Sequence, residues 1–416
     1  MNYSQAIDYI NSLAGLGSIP GLERIKELLR RFDNPQNKLK VIHVAGTNGK
    51  GSICAFLEYG LRECGVKVGR YISPTLFSYL ERFQINGNEM TEDEFASLIS
   101  VSKEKCDEMV ADGYDQPTAF EIETVVAFLY ALQCKVDVFI LECGMGGTED
   151  ATNVVTSPIA TVFASISLDH MQFLGNTVSE IAKSKAGIMR ENVPVIVSKS
   201  TDNTVYHVLS SEAQRIGSKP VVFSEDYLSE LKAVRHISKP LEGEYQWENM
   251  ATAYAAFMAI TEFENLSEEL FCRGLEKTKW PGRFEKISDN PLIIRDGAHN
   301  IDAVKRLTEE IKKQYPNGAH LIMGVYKDKE YDGMLRIILP HALSFTTVTA
   351  PNPARALDGK ALADTVQSVA DAMSMSLDVQ YRSSMKEAID RAVNLAKPDE
   401  PVIIFGSLSL AAEVIL

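Results

Sequence analysis

VIHVAGTNGKGS, residues 41–52, joins a short apolar run to a loop of glycine, threonine and asparagine closing in Gly49, Lys50, Gly51 and Ser52. VIHV reads as a buried strand, and ICAFLEYGLREC (53–64) opens as a helix directly after the loop. A strand, a tight glycine loop and a helix in that order aim backbone N–H groups inward, with the positive end of the helix dipole behind them. This is a cradle for phosphates or, on the plainer reading, a glycine-rich turn with no ligand. Asn48, Gly49, Lys50, Gly51 and Ser52 are its candidate contacts, with Lys50 reaching the outer phosphates and the Ser52 hydroxyl meeting Mg2+. The spacing departs from the standard G-x-x-x-x-G-K-[ST] loop: Val44 stands at the first glycine, and Gly51 separates Lys50 from Ser52. A nucleoside triphosphate is the ligand this stretch predicts.

Outward from the loop, strands and helices alternate. KVGRYIS (67–73) is a second strand ending at Ser73-Pro74, and VDVFILE (136–142) and IATVFASI (159–166) are further buried runs. Helices are predicted over 52–64, stopped by Gly65, over 91–110 with an acidic start, and over 121–132. Thr177 and Glu180 form a capping box opening the helix that carries Lys185. Residues 200–245 resist parsing. The end of the chain alternates again, with strands at 292–296, 320–325, 344–350, 377–381 and 402–406. Such alternation predicts parallel sheets covered by helices. WPGRFE (280–285) carries the breakers between the two blocks, so the expected domains are 1–280 and 281–416.

Bulk properties exclude several classes. A chain of 416 residues exceeds one ordinary core. With 45% hydrophobic and 24% charged residues it is neither disordered nor low in complexity. A net charge of −14 argues against a nucleic-acid or anionic-membrane partner. The six cysteines form no C-x-x-C pair, which points to a reducing compartment. The N-terminus is no signal peptide and no apolar run is long enough to span a membrane, so a cytoplasmic protein is expected.

Several residues could carry chemistry. Glu142 closes a buried strand, where a carboxylate beside a phosphate loop can hold Mg2+. The GMGGTED turn that follows lets backbone approach a ligand or simply turns tightly. His170, after a strand, is either a metal ligand or a structural histidine. Lys185 shares a helix face with Ile181 and Ile188; it either snorkels its ammonium to water or must be paired or modified. Arg283, Asp296 and His299 lie at the linker and the end of the first C-terminal strand, as ligand contacts or as surface ion pairs.

In order along the chain, GLERIKELL (21–29), HVAGTNGKGS (43–52), Ser73-Pro74 with ERFQING (81–87), TAFEIET (118–124), DVFILECGMGGTEDATNVV (137–155), DHMQFLG (169–175), EIAKSKAGIM (180–189), GEYQWEN (243–249), WPGR (280–283), DGAHN (296–300) and VIIFGSLSL (402–410) resemble the folylpolyglutamate synthase/dihydrofolate synthase family of the Mur ligase superfamily. The resemblance implies an α/β fold: a P-loop NTPase-like Mur ligase central domain, then a C-terminal Rossmann-like domain that closes over ATP from the glutamate side. It implies that Lys50, Gly51 and Ser52 hold ATP phosphates and that Ser73 and Glu142 hold one Mg2+. His170 would belong to a second Mg2+ site with Lys185, which matches the family's carbamylated lysine. Asn249 would contact the nucleotide, joined by Arg283, Asp296 and His299, while Phe120, Glu121 and Asp150 would lie on the folate side. Family members are often monomeric.

Four positions depart from the family pattern: Thr75 where His is frequent, Thr148-Glu149 for Arg-Leu, and Ser184 for Glu. The implied activity is ATP-dependent addition of L-glutamate to a folate through an acyl phosphate, with or without dihydrofolate synthase activity on dihydropteroate. A Mur-type ligase for another acceptor, a P-loop kinase or ATPase, and a nucleotide-binding regulator are the competitors. Acceptor-dependent ADP release separates them.

Overall fold

The computed structural model describes residues 1–17, 19–200, 202–234, 237–352 and 354–414. By contact it divides into two compact units, Met1–Pro240 with Trp247–Thr278, and Leu241–Gln246 with Lys279–Leu416. The boundary thus falls just before WPGRFE, and residues 241–246 join the second unit out of sequence order.

The first unit is built on strands β1 (Val41–Ala45), β2 (Val68–Tyr71), β3 (Phe83–Ile85), β4 (Asn88–Glu89), β5 (Val138–Glu142), β6 (Ala160–Phe163), β7 (Val195–Val197) and β8 (Val221–Phe223). Their order is β4-β3-β2-β5-β1-β6-β7-β8, parallel except for the β2–β3–β4 edge. β1 and β5 are buried along their whole length because helices cover both faces. On one face Leu28, Phe95, Ile122 and Phe128 pack against Val41 and Leu141. Further along the same face, Ile181, Ala182 and Leu209 pack against Ala45, Phe163 and Val197.

Helix Lys50–Glu63 begins at Lys50, two residues before the predicted start, and Gly65 follows its end at φ +83°. Gly274, in helix Glu268–Glu276, meets it closely: a Cβ there would lie 2.3 Å from the Tyr59 carbonyl oxygen. Capping boxes open the helices Glu92–Ala111, Ala119–Gln133 and Val178–Ala186, the last at Thr177 and Glu180 as the sequence predicted. The unparsed stretch contributes helix Asn203–Ile216 and β8, a three-residue, half-buried edge strand too short to show a period.

The second unit carries β9 (Glu285–Asp289), β10 (Leu292–Arg295), β11 (Ala319–Met323), β12 (Ala342–Thr347), β13 (Val379–Tyr381) and β14 (Val402–Phe405) in the order β13-β12-β11-β14-β10-β9. All pairs are parallel except β9–β10. The five strands expected there all form. β14, last in sequence, inserts between β10 and β11, which makes a topological switch at the carboxyl ends of these strands. Both units are therefore α/β, and the second is Rossmann-like. Among the described residues no helix is long and apolar enough to cross a membrane, and all six cysteines are free.

Candidate active site

Register brings the first site together. β1 lies between β5 and β6, and Val44 pairs with Glu142 and Ala45 with Phe163. The loop after Ala45 therefore opens beside the acidic strand end. Tyr71 of β2 pairs with Leu141, so Ser73 leaves the sheet at the same edge.

The loop needs glycine twice. Gly46 has φ +152°, and a Cβ there would sit 2.6 Å from the Ala164 Cβ. Gly49 caps the helix at φ +92°, and a Cβ there would sit 2.5 Å from the Asn249 Oδ1. Asn249, nearly 200 positions later, thus lies against the loop, as the Thr47 and Asn48 amides lie against the Ser165 carbonyl at 2.7 and 3.2 Å.

Lys50 curls over its own loop. Its Nζ donates to the carbonyls of Gly46 at 3.1 Å and Thr47 at 3.3 Å and lies 3.8 Å from the Glu142 Oε1. Lys185 reaches the same Gly46 carbonyl at 2.9 Å. It does not snorkel: only 3% of the residue is exposed, and burial first, then the Lys50 charge, pushes its pKa down to about 7. The Asp169 and Asp150 carboxylates oppose that shift, so both contribute negative potential at Lys185.

The donor set admits a phosphate-bound cation. Ser52 is buried, and its Oγ has no hydrogen-bond partner. Glu142 is 5% exposed at the strand end. His170 is half-exposed in a left-handed turn (φ +50°), with its Nε2 4.0 Å from the Asp169 Oδ1. Among the described residues no three His, Cys, Asp or Glu side chains cluster as a metal site. Glu142 is thus the one carboxylate in the expected set, and a cationic Lys185 would oppose a metal there. A lysine converted to a carbamate would supply the missing anionic oxygen.

The expected folate-side residues are tied into the scaffold. Asp150 accepts from the Met145 amide at 2.7 Å, from the Thr152 amide at 3.0 Å and from the Thr152 hydroxyl. With its one proton so committed, Thr152 Oγ1 accepts from His43 Nε2 at 2.8 Å. This sets the ring's tautomer, and burial keeps it neutral, with a pKa pushed down to about 3. Glu121 Oε2 takes the Thr118 amide, the Thr118 hydroxyl and Arg24 Nε at 3.1 Å; its buried Oε1 has no partner. The Phe120 ring covers Gly144, whose Cβ would lie 2.5 Å from the ring.

In the second unit the expected residues gather at the carboxyl end of β10. Asp296 accepts from the Phe284 and Ala298 amides, each at 2.7 Å, and burial raises its pKa. The Arg283 guanidinium lies over Gly297, where a Cβ would meet Nη1 at 2.2 Å. His299 donates Nδ1–H to the Gly297 carbonyl at 2.8 Å, which leaves Nε2 as the acceptor nitrogen of the neutral ring. Tyr245, half-buried beside Asp296, was not singled out from the sequence; it sits in the unparsed stretch that joins this unit. Asp169 and Thr148 also went unassigned, since neither makes a motif by itself.

Family models match both units: the Mur ligase middle domain over residues 44–257 and the Mur ligase, glutamate ligase domain over 282–408. The fold and site are those of an ATP-dependent Mur-type ligase. A dihydrofolate synthase/folylpolyglutamate synthase of Bacillus subtilis is 36% identical over 86% of this chain and 87% of its own. A folylpolyglutamate synthase of Mycobacterium tuberculosis, solved with ADP and AMPPCP, superposes with a TM-score of 0.87 at 26% identity over 99% of this chain and 98% of its own. A bifunctional folylpolyglutamate synthase/dihydrofolate synthase solved with Mn, AMPPNP and L-glutamate gives 0.83 at 28% identity over 99% and 97%. The chain belongs to the folylpolyglutamate synthase/dihydrofolate synthase family of Mur ligases.

Proposed function

We propose that this protein joins L-glutamate to a folate using ATP. The γ-phosphoryl group passes to a folate carboxylate, giving an acyl phosphate and ADP. The glutamate amine then attacks the acyl carbon, phosphate leaves, and an amide forms. The observation that carries the reading is the phosphate loop itself, with Lys50, Lys185 and the orphaned Ser52 hydroxyl gathered on it beside Glu142.

Each residue has a task in this reading. Asn48, Gly49, Lys50, Gly51 and Ser52 bind the phosphates, and Lys50 offsets charge on the transferring group. Ser73 and Glu142 would hold one Mg2+, and His170 with carbamylated Lys185 a second. Bound metal supplies charge neutralisation on the phosphates. The pKa of Lys185 supports the carbamate, because only a neutral amine adds CO2 and a value of about 7 leaves much of it neutral near pH 7. Asn249, Arg283, Asp296 and His299 serve nucleotide and glutamate, and Phe120, Glu121 and Asp150 shape the folate side. Residues 1–280 would bind ATP, metal and folate, and 281–416 the incoming glutamate. A monomer in the cytoplasm belongs to the same reading, supported there by six free cysteines.

A second reading adds dihydropteroate as an acceptor, favoured by the double name of the Bacillus subtilis relative. One experiment tests both: ADP release with ATP, Mg2+ and L-glutamate, comparing tetrahydrofolate, dihydropteroate and no acceptor, with products weighed by mass spectrometry. Tetrahydrofolate gaining one glutamyl unit supports the first reading, and dihydropteroate gaining one supports the second. ADP release independent of any acceptor would sink both.

A further inference from the structure

The glycine turn after β5 is fastened to the last turn of helix Val178–Ala186. Thr148 gives both its donors to one acceptor: its amide and Oγ1 reach the Ser184 carbonyl at 2.9 and 3.0 Å. That carbonyl is among those a helix end leaves short of donors. Only glycine fits on either side of the contact. A Cβ on Gly147 would lie 2.6 Å from the Lys185 carbonyl oxygen, and one on Gly187 2.2 Å from the Thr148 Oγ1. Asn153 straddles the joint, its Nδ2 donating to the carbonyls of Thr148 at 3.0 Å and Gly187 at 3.2 Å, while Arg190 holds its Oδ1 at 2.7 Å. The residue after Ser184 is Lys185, whose Nζ is seated on Gly46.

Positions 148 and 184 are also two of the places where this chain departs from the family pattern, Thr for Arg and Ser for Glu. The fold sets Thr148 against the backbone carbonyl of Ser184.

We propose that Thr148 is a positioning residue for Lys185: its hydroxyl pins the helix end through the Ser184 carbonyl and so holds the lysine at the phosphate loop. The inference rests on the reading of Lys185 as a metal-ligating residue. Releasing the pin frays the last turn, and displacements of an ångström at a reacting centre are costly.

The test compares Thr148→Val, Thr148→Ser and Lys185→Ala in the full chain, measuring kcat, KM for ATP, and Mn2+ affinity by EPR with a non-hydrolysable ATP analogue. Thr148 is exposed, so its variants fold. Thr148→Val should lose about five- to tenfold in kcat and in Mn2+ affinity, as for one positioning hydrogen bond, with KM for ATP within about twofold. Thr148→Ser, which keeps the hydroxyl, should stay near the parent in both. Thr148→Val matching the parent in kcat and Mn2+ affinity, with Lys185→Ala inactive, overturns the proposal. Full activity of Lys185→Ala overturns instead the reading of Lys185 on which it rests.

Discussion

Lys50 and Lys185 share one acceptor, the Gly46 carbonyl, at 3.1 and 2.9 Å. Two ammonium groups on one carbonyl repel, and burial first, then this repulsion, pushes the pKa of Lys185 down. A bound triphosphate would draw Lys50 outward, and carbamylation would turn Lys185 from a competitor into an anionic partner.

Removal of CO2 and bicarbonate should therefore lower turnover, and added bicarbonate should restore it. Lys185→Arg, which stays cationic, should lose about a hundredfold or more in kcat and gain nothing from bicarbonate. Turnover of the parent enzyme that ignores bicarbonate would remove the carbamate from the account.

Lys50→Ala should keep the fold, since its amine bonds to loop carbonyls and lies 3.8 Å from the Glu142 carboxylate, beyond hydrogen-bond reach. Its kcat should fall by about 10^2–10^3, the usual loss for a donor aimed at developing charge. Wild-type turnover from this variant would take Lys50 out of the phosphate-binding set.

Asp150→Asn separates a scaffold role from substrate contact. An amide cannot accept on both sides, so either the Met145 amide or the Thr152 pair loses its partner. The loss should be about 1–3 kcal/mol of stability, read by urea unfolding, with kcat falling as the glycine turn loosens. A rise in folate KM alone, at unchanged stability, would instead mark Asp150 as a direct folate contact.

Glu27 predicts a pH signature. Hydrogen bonds from Arg30, then Arg31, hold its carboxyl down at about 2 against burial. A depressed folded-state pKa contributes stability above the ordinary value of 4.5, and that stability drains away as pH falls towards about 2. Glu27→Gln should then be less stable at pH 7, with its deficit shrinking between pH 4.5 and 2. Denaturant unfolding at pH 7, 4 and 3 reads this, and a deficit constant with pH would contradict it.

Much of the fold was legible in local signals. VIHV ran into glycines, Thr177 and Glu180 capped a helix, and the strands from 292 onward stood out as short runs rich in apolar and β-branched residues between helical patterns. β8 and the crossing of residues 241–246 were not legible, since short half-buried segments take their structure from neighbours rather than from a period. The candidate residues were nameable one at a time. Their engagement was not: Asp150 and Asp296 were expected as ligand contacts, and each is held by two backbone amides.

The sequence by itself determined the α/β class, the phosphate loop and the order of the family motifs, because backbone periodicity and turn chemistry are written in adjacent residues. Only the tertiary structure decided that Lys185 is buried, that it meets Gly46 across 139 positions of chain, and that Thr148 meets the helix carrying it. The physical reason is that charge, burial and hydrogen bonding at this site are set by strand order, which places β1 beside β5 and β6 and leaves no trace in the spacing of any one segment.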